Sequence, residues 1–197
     1  MELLDVNRSI VLVIDLQART LNSYDRPRMA LASTVRLIKI AGLFGVPVIM
    51  TEHYPEGLGA VHTDIRAAFD ALTTPRHYLA KTFFGCCGDP NFESILTESR
   101  PGLKPAERQI VIAGAETHIC VMQTVLELLK TRHQVHVCWE CVTGRGEEYR
   151  RHALDRMAQA GAVITNHESV GFEWVRHKNH PAFKGLNAII KQGQITE

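Results

Sequence analysis

The chain has 197 residues, 45% of them hydrophobic, and its 22 basic and 21 acidic side chains leave a formal net charge of +1. This length and composition are typical of one globular unit, so we expect a single domain over residues 1–197. The balanced charge and the lack of a dense Lys/Arg cluster argue against a nucleic-acid partner. No apolar run approaches the roughly 20 residues that span a bilayer, so we expect no membrane-spanning helix.

The cellular compartment is predicted from the first residues and from the cysteines. Residues 1–7 carry two acidic side chains and no basic one, which is unlike a secretory or transit signal. The five cysteines are an odd number, which favours reduced thiols over a full disulfide framework. We therefore predict a soluble, cytoplasmic protein.

Apolar, β-branched runs recur along the chain and predict strands at residues 10–14, 46–50, 110–113, 135–139 and 162–165. A further short strand ends near Lys81. Several runs are apolar throughout, as is typical of parallel strands that are covered on both faces.

Between these runs, apolar residues recur at helical spacing, for example at Leu31, Val35 and Ile38 and again at Val121 and Val125. The alternation of strands and helices predicts an α/β fold with three αβα layers and a mostly parallel, Rossmann-like sheet of six strands. In such folds the ligand binds outside the carboxyl ends of the strands. The loops at that edge are therefore the candidate functional segments.

Three of these loops carry a chemically reactive side chain. Asp15 follows the first strand in "VLVIDLQ", and Lys81 lies between apolar residues in "HYLAKTFFG". Cys120 lies in "AGAETHICVMQT", in the first turn of a helix predicted to begin at Thr117 or His118. The dipole at such a helix terminus favours a thiolate.

Each residue alone has an ordinary structural explanation. Asp15 could cap a turn, Lys81 could be a paired surface charge, and Cys120 could be a small buried hydrophobe. Together, at one edge of the sheet, they supply a base, a cation and a potential nucleophile. The combination favours a functional site.

The segments "VLVIDLQ", "AKTFFG" and "IVIAGAETHICVMQT", in this order, resemble the isochorismatase-like cysteine hydrolases. The "TEHYPEGLG" stretch is similar to the branch called isochorismatase domain-containing proteins. The resemblance runs from about Ser9 to Thr165. It implies that Asp15, Lys81 and Cys120 form the Asp-Lys-Cys catalytic triad of the family.

The resemblance also implies a cis peptide bond between Ala115 and Glu116. The backbone N–H groups of Glu116 and Cys120 would then form an oxyanion hole. Candidate substrate-binding residues, for which loop packing is the alternative, lie on loops at the same edge: Gln17, Tyr54, Phe84 and Thr117.

The implied chemistry is hydrolysis of a small-molecule amide or related C–N bond without a cofactor. Asp15 would take the proton of Cys120, while Lys81 and the helix terminus stabilise the thiolate. Nicotinamidases of this superfamily carry an Asp-x-His metal motif after the second strand, whereas this chain has Thr-Glu-His-Tyr at residues 51–54, which argues against nicotinamide as the substrate. The alternatives are a catalytically inactive scaffold that binds a metabolite or partner, and an RNA-associated protein.

Other signals are interpreted as structural. The Cys138-x-x-Cys141 pair lies in a strand pattern without a second such pair, and we predict packing rather than metal or redox chemistry. We predict the same for the adjacent Cys86 and Cys87. No metal is predicted at any of the ten histidines, including the group Glu52, His53 and His62.

Oligomer formation is predicted because proteins with this fold assemble into dimers, tetramers or larger rings. Phe172, Trp174 and Phe183 either contact a neighbouring subunit or cover the sheet of their own chain. The predicted homo-oligomer would act on a small-molecule substrate.

Overall fold

The computed structural model describes residues 2–192 and is built around a six-stranded sheet. Its strands are β1 Ser9–Ile14, β2 Val48–His53, β3 Arg76–Lys81, β4 Gln109–Ala115, β5 Gln134–Thr143 and β6 Val163–Thr165. They lie in the order β3-β2-β1-β4-β5-β6, and each neighbouring pair is parallel. The predicted α/β fold is confirmed.

Helices connect the strands and cover both faces of the sheet. They are α1 Ala18–Leu21, α2 Pro27–Phe44, α3 Pro55–Leu58, α4 Thr63–Asp70, α5 Phe92–Ser99, α6 Met122–Lys130, α7 Glu147–Gln159, α8 His167–Val175 and α9 Phe183–Ile190. No helix within residues 2–192 is long and apolar enough to cross a bilayer.

The core has two halves because successive residues of a strand point to opposite faces. On β1, Val11 and Val13 pack into the half that is covered by α2, α4, α8 and α9. Ile10, Leu12 and Ile14 pack into the half that is covered by α5, α6 and α7. All six residues of β1 are buried, which explains why the five from Ile10 to Ile14 are all apolar.

β2 and β5 differ most from the predicted boundaries, and the other strands differ by one or two residues at their ends. β2 begins at Val48 rather than at residue 46, because the backbone N–H of Val46 still bonds to Ala41 at the end of α2. β5 continues to Thr143 through an irregularity. From one registered pair of β4 and β5 to the next, β4 advances by two residues along its sequence, whereas β5 advances by five. β5 therefore contains three extra residues at this point.

The aromatic residues near the C-terminus divide between core and surface. Trp174 is buried, and its indole N–H donates to Ser9 Oγ at 3.0 Å, so it covers the sheet of its own chain. Phe183 is half-buried and packs against the same half of the core. Phe172 is 45% exposed and remains the candidate for contact with a neighbouring subunit.

Gly114 fixes the approach of β4 to β1 beside the candidate site. Its φ is 144°, and a Cβ there would lie 2.3 Å from the carbonyl oxygen of Ile14. That oxygen belongs to the paired strand, because Ile14 and Gly114 are registered partners. Neither backbone can move without breaking the sheet pairing, so only glycine fits at this position.

We therefore expect Gly114→Ala to lower the free energy of unfolding by about 3 kcal/mol through overpacking. Gly146→Ala is the matched control, because the φ of Gly146 is −175° and a Cβ there meets only Tyr149, at an ordinary 3.6 Å. Urea unfolding of both variants measures the difference. Equal midpoints for the two variants would contradict the close approach.

Candidate active site

Asp15 turns out of β1 at the carboxyl edge of the sheet. Its φ is 50°, a left-handed conformation that aspartate tolerates better than most residues, and the N–H of Gln17 donates back to its carbonyl at 2.9 Å. The carboxylate is buried and divides its two oxygens between partners. Thr51 donates to Oδ1 at 2.6 Å, and Lys81 donates to Oδ2 at 2.5 Å.

Lys81 is the last residue of β3 and is only 2% exposed. Besides Asp15, its Nζ donates to the carbonyl oxygens of Phe83 and Phe84 at 3.1 and 3.0 Å. An ammonium group has three N–H donors, and each has an acceptor here. Burial of this charge is therefore compensated by one carboxylate and two carbonyl dipoles.

Cys120 lies next to this ion pair and is 6% exposed. Burial raises the pKa of its thiol to about 12; the negative charge of Asp15 adds to this rise, and the charge of Lys81 opposes it. At neutral pH the resting side chain is therefore a thiol. Burial and Asp15 thus oppose the effect expected from the helix terminus and from Lys81, both of which favour the thiolate.

The local backbone also differs from the predicted first turn of an α-helix. Residues Thr117–Val121 form a π-helical turn, in which the N–H of Val121 bonds to the carbonyl of Glu116 at 3.3 Å. Helix α6 starts only at Met122. π-helical turns are frequent at functional sites. The Ala115-Glu116 peptide bond is cis, as the resemblance implies.

A cavity of about 270 Å³ opens beside Asp15 and Cys120. Its wall contains Gln17 and Phe84, as predicted, together with residues that the sequence reasoning did not single out: Thr20, Tyr24, His53, Leu58, Ile119 and Arg145. His53 and Arg145 lie at or just after the carboxyl ends of β2 and β5, so the strand-end rule could have found them. Tyr24 follows a short helix and had no comparable signal.

Gln17 is buried and acts as a clamp between two loops. Its amide nitrogen donates to the carbonyl of Gly59 at 2.5 Å, and its oxygen accepts from the N–H of His53 at 3.0 Å. The side chain thereby holds the loop after β2 against the end of β1. Its contacts are mainly structural, although it also lines the cavity.

Two predicted substrate-binding residues lie outside the cavity wall. Thr117 is fully buried, and its hydroxyl donates to the carbonyl of Thr143 at 2.9 Å, which ties the π-helical turn to β5. Tyr54 is 52% exposed, and its ring lies over Gly57 at the start of α3. Neither side chain lines the cavity, and their role in substrate binding stays a prediction.

The carboxylate of Glu116 lies at the rim of the cavity. Arg145 donates to it through Nε at 2.9 Å and Nη2 at 3.2 Å, a bidentate pair that joins the ends of β4 and β5. The Glu116 side chain is 14% exposed and that of Arg145 is 65% exposed. The charge of each partner is thus balanced by the other.

Two members of the group Glu52, His53 and His62 have protein partners for their side chains, whereas the Nδ1 of His53 is buried without one. The Glu52 carboxylate accepts from the N–H of Val61 at 2.8 Å and from the Tyr78 hydroxyl at 2.7 Å. His62 Nδ1 accepts from the N–H of Asp64 at the start of α4. These contacts give Glu52 and His62 structural roles.

This fold is that of a known family of hydrolase-fold proteins. The isochorismatase domain matches residues 9–169, and the chain belongs to the isochorismatase family. Isochorismatase domain-containing protein 1 of Salmo salar is 37% identical over 158 residues, which are 79% of this chain and 51% of that protein. This chain thus spans about half the length of that relative.

Other similar proteins match over more of their length. Isochorismatase family protein 1A of Dictyostelium discoideum is 30% identical over 96% of this chain and 89% of its own length. A structure named MAR1 ribonuclease from Caenorhabditis elegans has a TM-score of 0.86 at 27% identity and covers 100% of this chain and 95% of that one. YcaC of Escherichia coli, described as an octameric hydrolase of unknown specificity, has a TM-score of 0.80 at 25% identity, with 97% of each chain covered.

The two charged groups beside Cys120 act on the pKa of its thiol in opposite directions, so removal of each should shift this pKa in an opposite sense. Removing the carboxylate in Asp15→Asn should lower the pKa of the thiol, because the nearest negative charge is lost and Lys81 becomes unpaired. Removing the ammonium in Lys81→Met should raise the pKa. The pH dependence of iodoacetamide labelling at Cys120, followed by peptide mass spectrometry, measures both shifts.

The midpoint of the labelling curve reports the ionisation, whereas the absolute rate also reflects access to the thiol. Cys87 in the same samples is the internal reference, because it is half-buried and its pKa is raised by burial and by nearby Glu127 rather than by Asp15 or Lys81. Midpoints that move together in the two variants would show that neither charge acts on Cys120 as described.

Proposed function

We propose that this chain is a cysteine-dependent hydrolase of small, neutral amides or related C–N compounds. The observation that carries the proposal is the contact of a thiol, a carboxylate and an ammonium group, from Cys120, Asp15 and Lys81, beside one small cavity. Each of these side chains is more than nine-tenths buried. Burial of three such groups together needs a reason beyond packing.

The first chemical step couples proton transfer to attack. Because the pKa of Cys120 is about 12, the sulfur becomes nucleophilic only as Asp15 accepts its proton. The sulfur then bonds to the substrate carbonyl carbon, and the electron pair of the C=O double bond moves to oxygen. Lys81 keeps its charge and limits the rise in negative charge around the reacting sulfur.

The oxyanion and the leaving amine complete the reaction. The backbone N–H groups of Glu116 and Cys120 are the proposed donors to the oxyanion, a type of contact worth about 3 kcal/mol each. Asp15 returns its proton to the amine as the C–N bond breaks, which leaves a thioester on Cys120. Water then attacks the thioester and gives a proton to Asp15, which finally returns it to the thiol sulfur.

The cavity suggests the class of substrate. Its volume of about 270 Å³ lies at the lower end of the range for small-molecule sites. Leu58, Phe84 and Ile119 supply apolar surface, and the charged groups of the wall are paired with one another. A small, uncharged molecule with one reactive carbonyl suits this wall.

The comparisons give support from relatives. YcaC of Pseudomonas aeruginosa, with a TM-score of 0.84 at 26% identity over 96% of this chain and 90% of that one, is described with hexane-2,5-diol and covalent acrylamide. Acrylamide is a small neutral amide and an electrophile, so its covalent capture in that protein is consistent with a reactive nucleophile there. The C. elegans relative named a ribonuclease favours RNA as a second candidate substrate.

We also infer that the chain forms a homo-oligomer. YcaC of E. coli is described as octameric, and the exposed Phe172 on α8 gives this chain an apolar contact point. Light scattering of the purified protein tests the inference, and a monomeric mass would contradict it.

The triad is tested by steady-state hydrolysis of a panel of small aliphatic and aromatic amides. Asp15→Asn should lower kcat/KM by about 10²- to 10⁴-fold, because the general base is lost. Cys120→Ala should be at least as severe. The double variant should be no slower than Cys120→Ala, because residues that act as one unit are not additive. Cys87→Ser is the control and should keep full activity.

Further measurements separate the competing functions. Mass spectrometry of quenched reactions should find an acyl group on Cys120. Turnover that persists in Cys120→Ala would contradict the assignment of Cys120 as the nucleophile. A wild-type protein that binds amides of the panel without hydrolysing them would favour the inactive scaffold. RNA cleavage that is abolished by Cys120→Ala would show that the same site acts on RNA.

A further inference from the structure

A second cluster of reactive side chains lies in the irregular part of β5. The ligand atoms of Cys138, Glu140 and Cys141 all lie within 4.8 Å of one another. Both sulfurs are fully buried, and Glu140 is 6% exposed. The cluster packs in the half of the core covered by α2, where Thr34 donates to the carbonyl of Cys141 at 3.4 Å. The proposed hydrolysis uses none of these three residues.

The three extra residues in β5 bring the cluster together. In a regular strand, residues 138 and 141 would point to opposite faces, because side chains alternate. The irregularity between Val137 and Val142 breaks this alternation, and both sulfurs lie in the same half of the core. Trp139, by contrast, is 39% exposed.

The Glu140 carboxylate is bonded through only one of its oxygens. Oε1 accepts from the backbone N–H of His167 at 2.5 Å and from the thiol of Cys141 at 3.8 Å, and it forms a hydrogen bond with the Nδ1 of His167 at 2.7 Å. Oε2 is buried and has no hydrogen-bond partner. A buried carboxylate oxygen without a partner is costly, and in native structures such an atom calls for an unseen ligand, water or ion.

We propose that Cys138, Glu140 and Cys141 bind a thiophilic divalent cation, Zn²⁺ being the best match. Two sulfurs and one carboxylate oxygen are a donor set that zinc accepts, whereas Mg²⁺ and Ca²⁺ require oxygen ligands. Each thiol releases its proton to solvent as its sulfur binds the metal. Oε2 gains the partner that it lacks, and one coordination position stays open.

His167 supports this assignment because it holds Glu140 in place. Carboxylates that bind a metal are commonly held by hydrogen bonds from neighbouring groups. The backbone N–H and the Nδ1 of His167, at the start of α8, form such bonds with Oε1 of Glu140. A bound ion would therefore be linked to α8 through Glu140.

Metal content is the direct test. Protein purified without chelator should contain about one zinc per chain by plasma mass spectrometry. After removal of the metal, Co²⁺ should produce the absorption bands of thiolate coordination, and an excess of Mg²⁺ should not displace it. All measurements use the Cys120→Ala background, so that the hydrolase thiol cannot supply the signal and the result does not depend on the proposed function.

The variants assign the ligands. Cys138→Ser and Cys141→Ser should each abolish the Co²⁺ bands. Glu140→Gln keeps the shape of the side chain and should weaken Zn²⁺ binding by at least the roughly 10- to 100-fold that loss of a group orienting a metal ligand causes. Cys87→Ser should bind Zn²⁺ as before. Circular dichroism identifies any variant that fails to fold, in which case the Glu140→Gln result decides.

Several results would overturn the proposal. One is a folded protein that neither retains zinc nor gives Co²⁺ bands. Another is zinc that stays bound when both Cys138 and Cys141 are serine, which would place the metal elsewhere. A disulfide between these two cysteines in the freshly purified protein would replace the metal site with a redox pair.

Discussion

The buried ion pair between Asp15 and Lys81 is the interaction on which the candidate site depends. Moving two such charges out of water costs several kcal/mol each, and their mutual attraction offsets this only with good geometry and further hydrogen bonds. The further bonds come from Thr51 and from the carbonyls of Phe83 and Phe84. Thr51 belongs to β2, Phe83 and Phe84 follow the end of β3, and Asp15 itself follows β1, so the register of three strands sets the geometry of the pair.

The ion pair also determines the resting state of the nucleophile. Burial and the charge of Asp15 outweigh the charge of Lys81 and keep Cys120 protonated. A protonated, nearly buried thiol is a poor target for oxidants and alkylating agents, whose attack requires the thiolate. In the proposed mechanism, this protection of Cys120 ends only when a substrate carbonyl is placed beside it.

The sequence alone predicted the features that depend on local pattern. Continuous apolar runs identified the buried strands, and the rule that ligands bind at the carboxyl ends of strands selected Asp15, Lys81 and Cys120. Their combination into a triad, and the cis bond at Ala115-Glu116, came from the family resemblance. The assignment of the triad as catalytic remains a prediction.

The features that escaped prediction depend on tertiary contacts. The residue types around Cys120 do not distinguish a π-helical turn from an α-helical one, because the two differ only in which carbonyl, one residue apart, accepts each N–H hydrogen bond. The extra residues in β5 are visible only against the register of β4. Thr117 was assigned to the pocket because of its position in the loop, yet its hydroxyl faces Thr143.

The saturated hydrogen bonding of Lys81 has a consequence for how the site would work during turnover. All three N–H groups of the ammonium already have acceptors. The ammonium therefore has no donor left for a substrate, and it cannot move without breaking one of these hydrogen bonds. Its field is present before the reaction begins and stays constant while the charges on sulfur and oxygen change. No solvent or side chain has to reorganise around this cation, and the protons that move are those that Asp15 exchanges with the sulfur, the leaving group and the attacking water.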